Sequence, residues 1–569
     1  MKKEKNERIS IGLLIICTCS LISYSCEEKD KEPDIQIEEV SDVFEAMGGI
    51  ERIKVINTIS YKSFGKTYEW EQPTPVEPNP LFASYYEATF SSELNHRKVR
   101  VEYDYIQYKH PFSYRVNEGT HIINDRRGTV SGEYNWSSFY YNDHSANPMH
   151  SSMIESILKN QKMANPVELL KEYLLNPEEV KFHNGKFVYP TRIKDLNIEL
   201  IIDPETHLPL KAEVKEADYL QGDSKFEVHY DDWTEIEYVK FPAMISFYLN
   251  DQVLKIEQLS DITFNPDLNN DHFTPKEVSI ELSYDEANAD TGVLRSQWFH
   301  RWTAWGIRMD PPYDKGAIIG DKFDLSYLEM GDQTIGENVR MVGRPDLPWS
   351  VLIKTKKGIY IWEAPLHNAL TFSIIEAAKR EYPDVPIIGA IVSHTHHVFF
   401  SGIRQLVAET GEVYVGKEGY NFAKKVMESK HTMLPDTLAI VPRNVKIIPV
   451  DTIVNIDDGA VQIHPLITSD PVGTVTSGPH STDMLVVYVP EYEAIIQGDM
   501  QWEGVFMNIW YGKTAKGYTP ETIAELKRRA NYLIDYIREH NLKVTKIVGS
   551  HGGVGTIKEL EDIANYQFE

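Results

Sequence analysis

Cysteine is almost missing from this chain. Only Cys17, Cys19 and Cys26 occur in 569 residues, all at the very start. A disulfide framework is excluded, and so is a metal site built on thiolates. Basic residues are also in short supply: 58 Lys and Arg stand against 85 Asp and Glu, giving a formal charge of −27. Phosphate backbones are bound by clustered cations, so nucleic acid is excluded as a partner. No Gly-rich phosphate loop, Ser-centred elbow or HExxH-type motif appears. The apolar stretch over residues 9–22 is too short for a comfortable membrane span.

What is present is an ordinary folded composition, with 42% hydrophobic and 25% charged residues, which rules out a largely disordered chain. At 569 residues, two domains plus connections are expected. Residues 1–26 read as a targeting segment: Lys2, Lys3, Lys5 and Arg8 precede the apolar stretch, and small serines precede Cys26. The run Leu21-Ile22-Ser23-Tyr24-Ser25-Cys26 resembles a bacterial lipobox, which implies lipidation of Cys26 and anchoring in the outer membrane, on the periplasmic or the cell-surface side. Residues 27–38 are a polar tether whose acidic start resembles the export signal of surface lipoproteins.

Residues 39–277 alternate polar and apolar side chains in short runs, as in Lys98-Val99-Arg100-Val101-Glu102-Tyr103, with turns at Asn250-Asp251 and Asn265-Pro266. This predicts an antiparallel sheet with one buried face, interrupted by helical pieces at residues 40–47 and 152–174. The pattern resembles a curved-sheet domain of the lipoprotein-carrier type. Its expected role is a platform, with an acyl-chain cradle as the alternative. Residues 278–335 form a connector rich in aromatics, including Trp298, Phe299, Trp302, Trp305 and Tyr313.

The last segment, 336–569, carries the chemistry. The apolar strand 387–392 runs into Ser393-His394-Thr395-His396-His397-Val398-Phe399. At a strand end, residues i and i+2 point the same way, so His394 and His396 share a side and Thr395 takes the other. Paired imidazoles at such a turn suit zinc. Downstream, Gly478-Pro479-His480 precedes strand 484–489. Gln497-Gly498-Asp499 follows strand 493–496, and Gly549-Ser550-His551 follows strand 544–548.

Four motifs in this order, each beside an apolar strand, resemble the metallo-β-lactamase superfamily, whose loop reads H-x-H-x-D-H. The resemblance implies a C-terminal αββα sandwich, which with the N-terminal curved antiparallel sheet domain makes the expected fold class α+β. It implies a first metal site of His394, His396, His480 and Asp499. The loop departs from the family where an Asp and a His would hold a second zinc: here stand Val398 and Phe399. Only Asp499 and His551 remain of that second set, so one zinc ion is expected, with iron as the alternative ion.

The expected activity is that of an extracytoplasmic, membrane-anchored hydrolase. A metal-bound hydroxide would attack an ester, amide, lactone or phosphoester in a small-molecule substrate. Asp499 would ligate the ion, orient the water or accept its proton, and His551 would serve the leaving group or bind a substrate anion. Glu363 stands where relatives carry an Asp that orients the histidine loop. His367 reads as a surface histidine or a second rank behind the ligands, and His397 as facing away. Residues 501–511 read as a pocket wall. A non-catalytic binding or scaffold lipoprotein that keeps the fold with a degraded metal site is the rival reading, and an iron-dependent persulfide-handling oxidoreductase is a third.

Overall fold

Strands Thr58–Glu69 and Gln252–Phe264 lie side by side in the middle of a fourteen-stranded sheet, in the computed structural model of this chain. The structure describes residues 40–69, 81–108, 115–116, 119–132, 146–278, 281–295, 329–330, 335–343, 348–466, 481–498, 500, 520–550 and 553–565. The residues from Ile37 onward make one compact unit. Every pairing recorded in the large sheet is antiparallel. Along its central strand Ile59, Tyr61, Ser63 and Thr67 are buried while Lys62, Phe64 and Lys66 face solvent. That two-residue period is what gives the sheet one covered face.

Helices Ser151–Ala164 and Pro166–Leu175 cover this face, with Met153, Ile154, Val167, Leu169 and Leu170 packed among Tyr61, Phe90, Phe226 and Phe241. The sequence pattern predicts a single helical piece over 152–174. The structure breaks it at Asn165, because Pro166 has no N–H to continue the ladder. Asn165 instead caps the second helix, its side chain accepting from Glu168 N at 3.1 Å.

The C-terminal half is built on two smaller sheets, of seven and six strands. In the first, the hairpin of Ser350–Lys354 with Ile359–Trp362 leads into three successive parallel pairings, through Ile387–Ile391 and Glu412–Gly416 to Lys446–Val450. The second is antiparallel except where Ala494–Gln497 runs alongside Lys546–Gly549. Trp362, Val351, Ile391, Ile463, Val487, Ile496 and Val548 interdigitate between the sheets. Helices Asn368–Glu381 and Ile403–Thr410 pack the outer face of the seven-stranded sheet. Helices Pro520–Glu539 and Ile557–Ala564 pack the outer face of the six-stranded one. The layers therefore run helix, sheet, sheet, helix.

The apolar cluster that covers the large sheet continues, without a gap, into the outer helix layer of the sandwich: Phe226 and Phe241 belong to the same cluster as Leu370, Ile374 and Phe400. Among the described residues no helix is long and apolar enough to cross a membrane. The targeting segment, Cys26, the tether and the connector aromatics Trp298, Phe299, Trp302, Trp305 and Tyr313 lie outside the described residues.

Candidate metal centre

The histidine loop leaves the C-terminal end of strand Ile387–Ile391, which is flanked by parallel strands on both sides. Crevices outside the carboxyl ends of parallel strands are where open α/β sheets place their ligands. Val392 N still donates to Tyr414 O at 3.1 Å, and from Ser393 the chain departs from the sheet. His394 and His396 are each 1% exposed, with ring centres 5.6 Å apart. Ser393 Oγ lies 2.8 Å from His394 Nδ1, which fixes that ring about its Cβ–Cγ axis.

Two imidazoles bound to one zinc at ~2.0–2.1 Å in a tetrahedral array have ring centres roughly 5 Å apart. The observed separation fits that donor geometry. Among the described residues no three His, Cys, Asp or Glu side chains are grouped to hold an ion. His480, Asp499 and His551 lie outside the described residues, so the pair His394 and His396 is the part of the expected set that the structure brings together.

The immediate neighbours of the other two strand-end motifs do reach the loop. A Cβ added at Gly498 would lie 2.2 Å from Ser393 Oγ and 3.2 Å from Glu363 Oε1, so only glycine allows this approach. Ser550 N donates to Gln497 O at 3.0 Å, and Trp362 Nε1 donates to Ser550 Oγ at 3.0 Å. The chain positions just before Asp499 and His551 are thereby held beside Ser393 and Trp362.

Glu363, fully buried, sits at the end of its strand with a left-handed backbone, φ 68°. Its Oε2 accepts from Ser393 N at 3.1 Å and its Oε1 accepts from Ser550 Oγ at 3.4 Å. One carboxylate thus joins the histidine loop to the strand end that precedes His551.

A second buried carboxylate was not singled out by the sequence reading. Asp483, 2% exposed, accepts at Oδ2 from Thr395 N at 2.9 Å and from Thr395 Oγ1 at 2.8 Å, and at Oδ1 from Ser481 Oγ. Burial pushes its carboxyl above the ordinary range, against the pull of the Ser481 and Thr395 hydrogen bonds. The available signal was an acid at the mouth of the apolar run Met484 to Val489, where a charged side chain is unexpected without partners.

Val398 and Phe399 are buried, on the one-turn helix His397–Phe400. The Phe399 ring lies 5.0 Å from that of His394 and 6.2 Å from that of His396. Their carbonyls tie the helix to the preceding turn, Phe399 O accepting from Ala364 N and Val398 O from Leu366 N. His397 is 2% exposed and meets the His396 ring edge-on at 4.5 Å.

His367 is not a surface histidine: it is 2% exposed. Its Nδ1 accepts from Leu370 N at 3.2 Å, capping helix Asn368–Glu381, and its ring lies 6.1 Å from Tyr219 of the large sheet. Burial, with the Arg295 guanidinium nearby, pulls its pKa down to about 3, so the ring is neutral at ordinary pH. A capping acceptor has to be unprotonated, which the sequence could not reveal because histidine is an uncommon N-cap. The proposed pocket wall over 501–511 lies outside the described residues.

No family model matches the chain, and no curated protein matches it. Solved structures do. The metallo-beta-lactamase DIM-1 is similar at 17% identity over 42% of this chain and 95% of that one, with a TM-score of 0.28. TMB-1 is similar at 17% identity over 42% of this chain and 95% of its own, with a TM-score of 0.29. FIM-1 from Pseudomonas aeruginosa, a metallo-beta-lactamase described in its mono-zinc form, is similar at 16% identity over 42% of this chain and 93% of its own, with a TM-score of 0.29.

Proposed function

We propose that this chain is a metal-dependent hydrolase of metallo-β-lactamase fold with a single zinc ion held by His394, His396 and His480, its fourth position open to water and Asp499 beside it. The observation that carries the reading is the pair of buried imidazoles, His394 and His396, 5.6 Å apart at a strand end. When bound, zinc supplies Lewis acidity and a water made acidic enough to lose its proton near neutral pH. The protein supplies the rest. Ser393 Oγ engages Nδ1 of His394, which would leave Nε2 of that ring for the ion when Nδ1 carries the proton. Glu363 fixes the backbone of the loop at Ser393. With zinc bound, Asp499 would accept a proton from the water, and His551 would serve the leaving group or bind the substrate's anionic group. The substrate is a small molecule with an ester, amide, lactone or phosphoester bond.

Metal analysis of the full chain tests this reading. After gentle dialysis, about one zinc per chain is expected, falling several-fold in His394→Ala and in His480→Ala. Zinc far below one per chain, or zinc unchanged in both variants, would overturn it. Iron in place of zinc, seen as colour and in the same assay, would favour oxidoreductase chemistry at the same residues.

One observation favours a second reading, that of a non-catalytic binding lipoprotein. Val398 and Phe399 are packed as ordinary core where the family carries ligands. Chelator-sensitive turnover of an esterase, lactonase or phosphodiesterase substrate that Asp499→Asn abolishes would eliminate it.

A further inference from the structure

Thr395 separates the two candidate ligands in sequence, and both of its polar groups end on one atom. Its N–H and its hydroxyl converge on Asp483 Oδ2, at 2.9 and 2.8 Å. The other carboxylate oxygen accepts from Ser481 Oγ. This arrangement fixes the residue in the middle of the His-x-His triplet by two bonds from different parts of the residue. Peptide plane and side-chain torsion at Thr395 are both specified, and with them the directions in which the flanking residues leave the backbone.

The slot around the carboxylate is closed by backbone. A Cβ at Gly419 would come 2.5 Å from Asp483 Oδ2 and 2.9 Å from Thr395 Cγ2, and one at Gly416 would come 1.9 Å from Asp483 O. Strand Glu412–Gly416 and the turn after it therefore press on the same contact. Leu485 N donates to Ser393 O at 2.6 Å, so the strand that begins after Asp483 also holds the loop's first residue. A packed, three-donor carboxylate of this kind has one geometry, not a family of them.

We infer that Asp483 is a positioning residue of the candidate centre, setting the spacing of His394 and His396 through Thr395 and holding Ser481, the residue that follows His480 in sequence. The inference rests on the reading of those three histidines as ligands. Asp483 acts through its bonds to Thr395 and Ser481. Asparagine is the informative replacement. It keeps shape and volume but turns one acceptor into an N–H₂ donor, which must then face either Ser481 or the two donors of Thr395.

The test compares the full-length chain with Asp483→Asn, Thr395→Val and Thr395→Ser. Zinc affinity is measured by chelator competition, the ligand field by the visible spectrum of the cobalt(II) form, and loop order by hydrogen exchange over residues 393–400 without metal. Asp483→Asn is expected to lose about 10–100-fold in zinc affinity, the usual effect of removing an outer partner of metal ligands. It is also expected to shift the cobalt bands and speed exchange across the loop. Thr395→Val is expected to follow it part of the way, and Thr395→Ser, which keeps the hydroxyl, to restore the wild-type values. Asp483→Asn with zinc affinity within threefold of wild type, and unchanged bands and exchange, would overturn the inference while leaving the metal-centre reading intact. A wild-type chain that takes up neither ion would overturn both. If Asp483→Asn does not fold, Thr395→Val decides, since it leaves the carboxylate in place; wild-type affinity and bands there would overturn the inference.

Discussion

At the scale of single residues, the centre is built from polar groups that would be costly to bury alone and are buried in company. Glu363 and Asp483 each collect donors from the histidine loop. His367 is buried neutral and caps a helix. Its titration has a definite sign. The ring's pKa falls from 6.5 to about 3 on folding, so between those values the unfolded chain binds the extra proton and stability drops as the solution is acidified. Above pH 6.5 the contribution is complete. His367→Asn keeps a capping acceptor without the titration. In acid-denaturation series, the wild type is expected to lose stability relative to this variant between pH 6.5 and about 3, and parallel curves would contradict the assignment.

At the scale of elements, a hairpin of the large sheet grips the sandwich with directed polar bonds. Gly222, φ 74°, lies where a Cβ would meet Lys430 O at 2.0 Å, and Asp223 N donates to that same oxygen at 2.7 Å. The Asp223 carboxylate accepts from Thr432 N, Thr432 Oγ1 and Met433 N at 2.5–3.1 Å. Three charge-assisted hydrogen bonds at a half-buried site make Asp223→Ala a loss of about 1–3 kcal/mol. Chemical denaturation should report that loss, with faster hydrogen exchange over residues 429–433; unchanged exchange there would show the hairpin to be a passive neighbour.

Local patterns made much of this legible. Alternation gave the strand Lys98–Tyr108, and the Asn250-Asp251 turn appears with both residues at positive φ. What stayed hidden was long-range. Nothing local says that strand Thr58–Glu69 pairs with Gln252–Phe264, nearly two hundred residues away, or that Asp223 meets Thr432. Asp483 was hidden for the same reason: its partner Thr395 stands 88 positions upstream.

For the molecule as a whole, charge and tethering belong together. A chain of net charge −27 gains no attraction from an anionic bilayer, and we propose that a covalent lipid on Cys26 holds it there instead. Fatty-acid labelling in a bacterial host is expected to mark the chain and to fail in Cys26→Ser, which should also move the protein to the soluble fraction. Labelling that survives the substitution would refute the anchor. The apolar interior passes from the large sheet into the sandwich's outer helices as one cluster.

The histidine loop is bonded to both small sheets, through Val392 and Glu363 on one side and Leu485 on the other. It therefore works as a rivet across a seam. Prising the two layers apart would dismantle the nest in the same stroke, so the colour of a cobalt-loaded sample should bleach in step with the collapse of the backbone's ellipticity, with no colourless yet folded species in between.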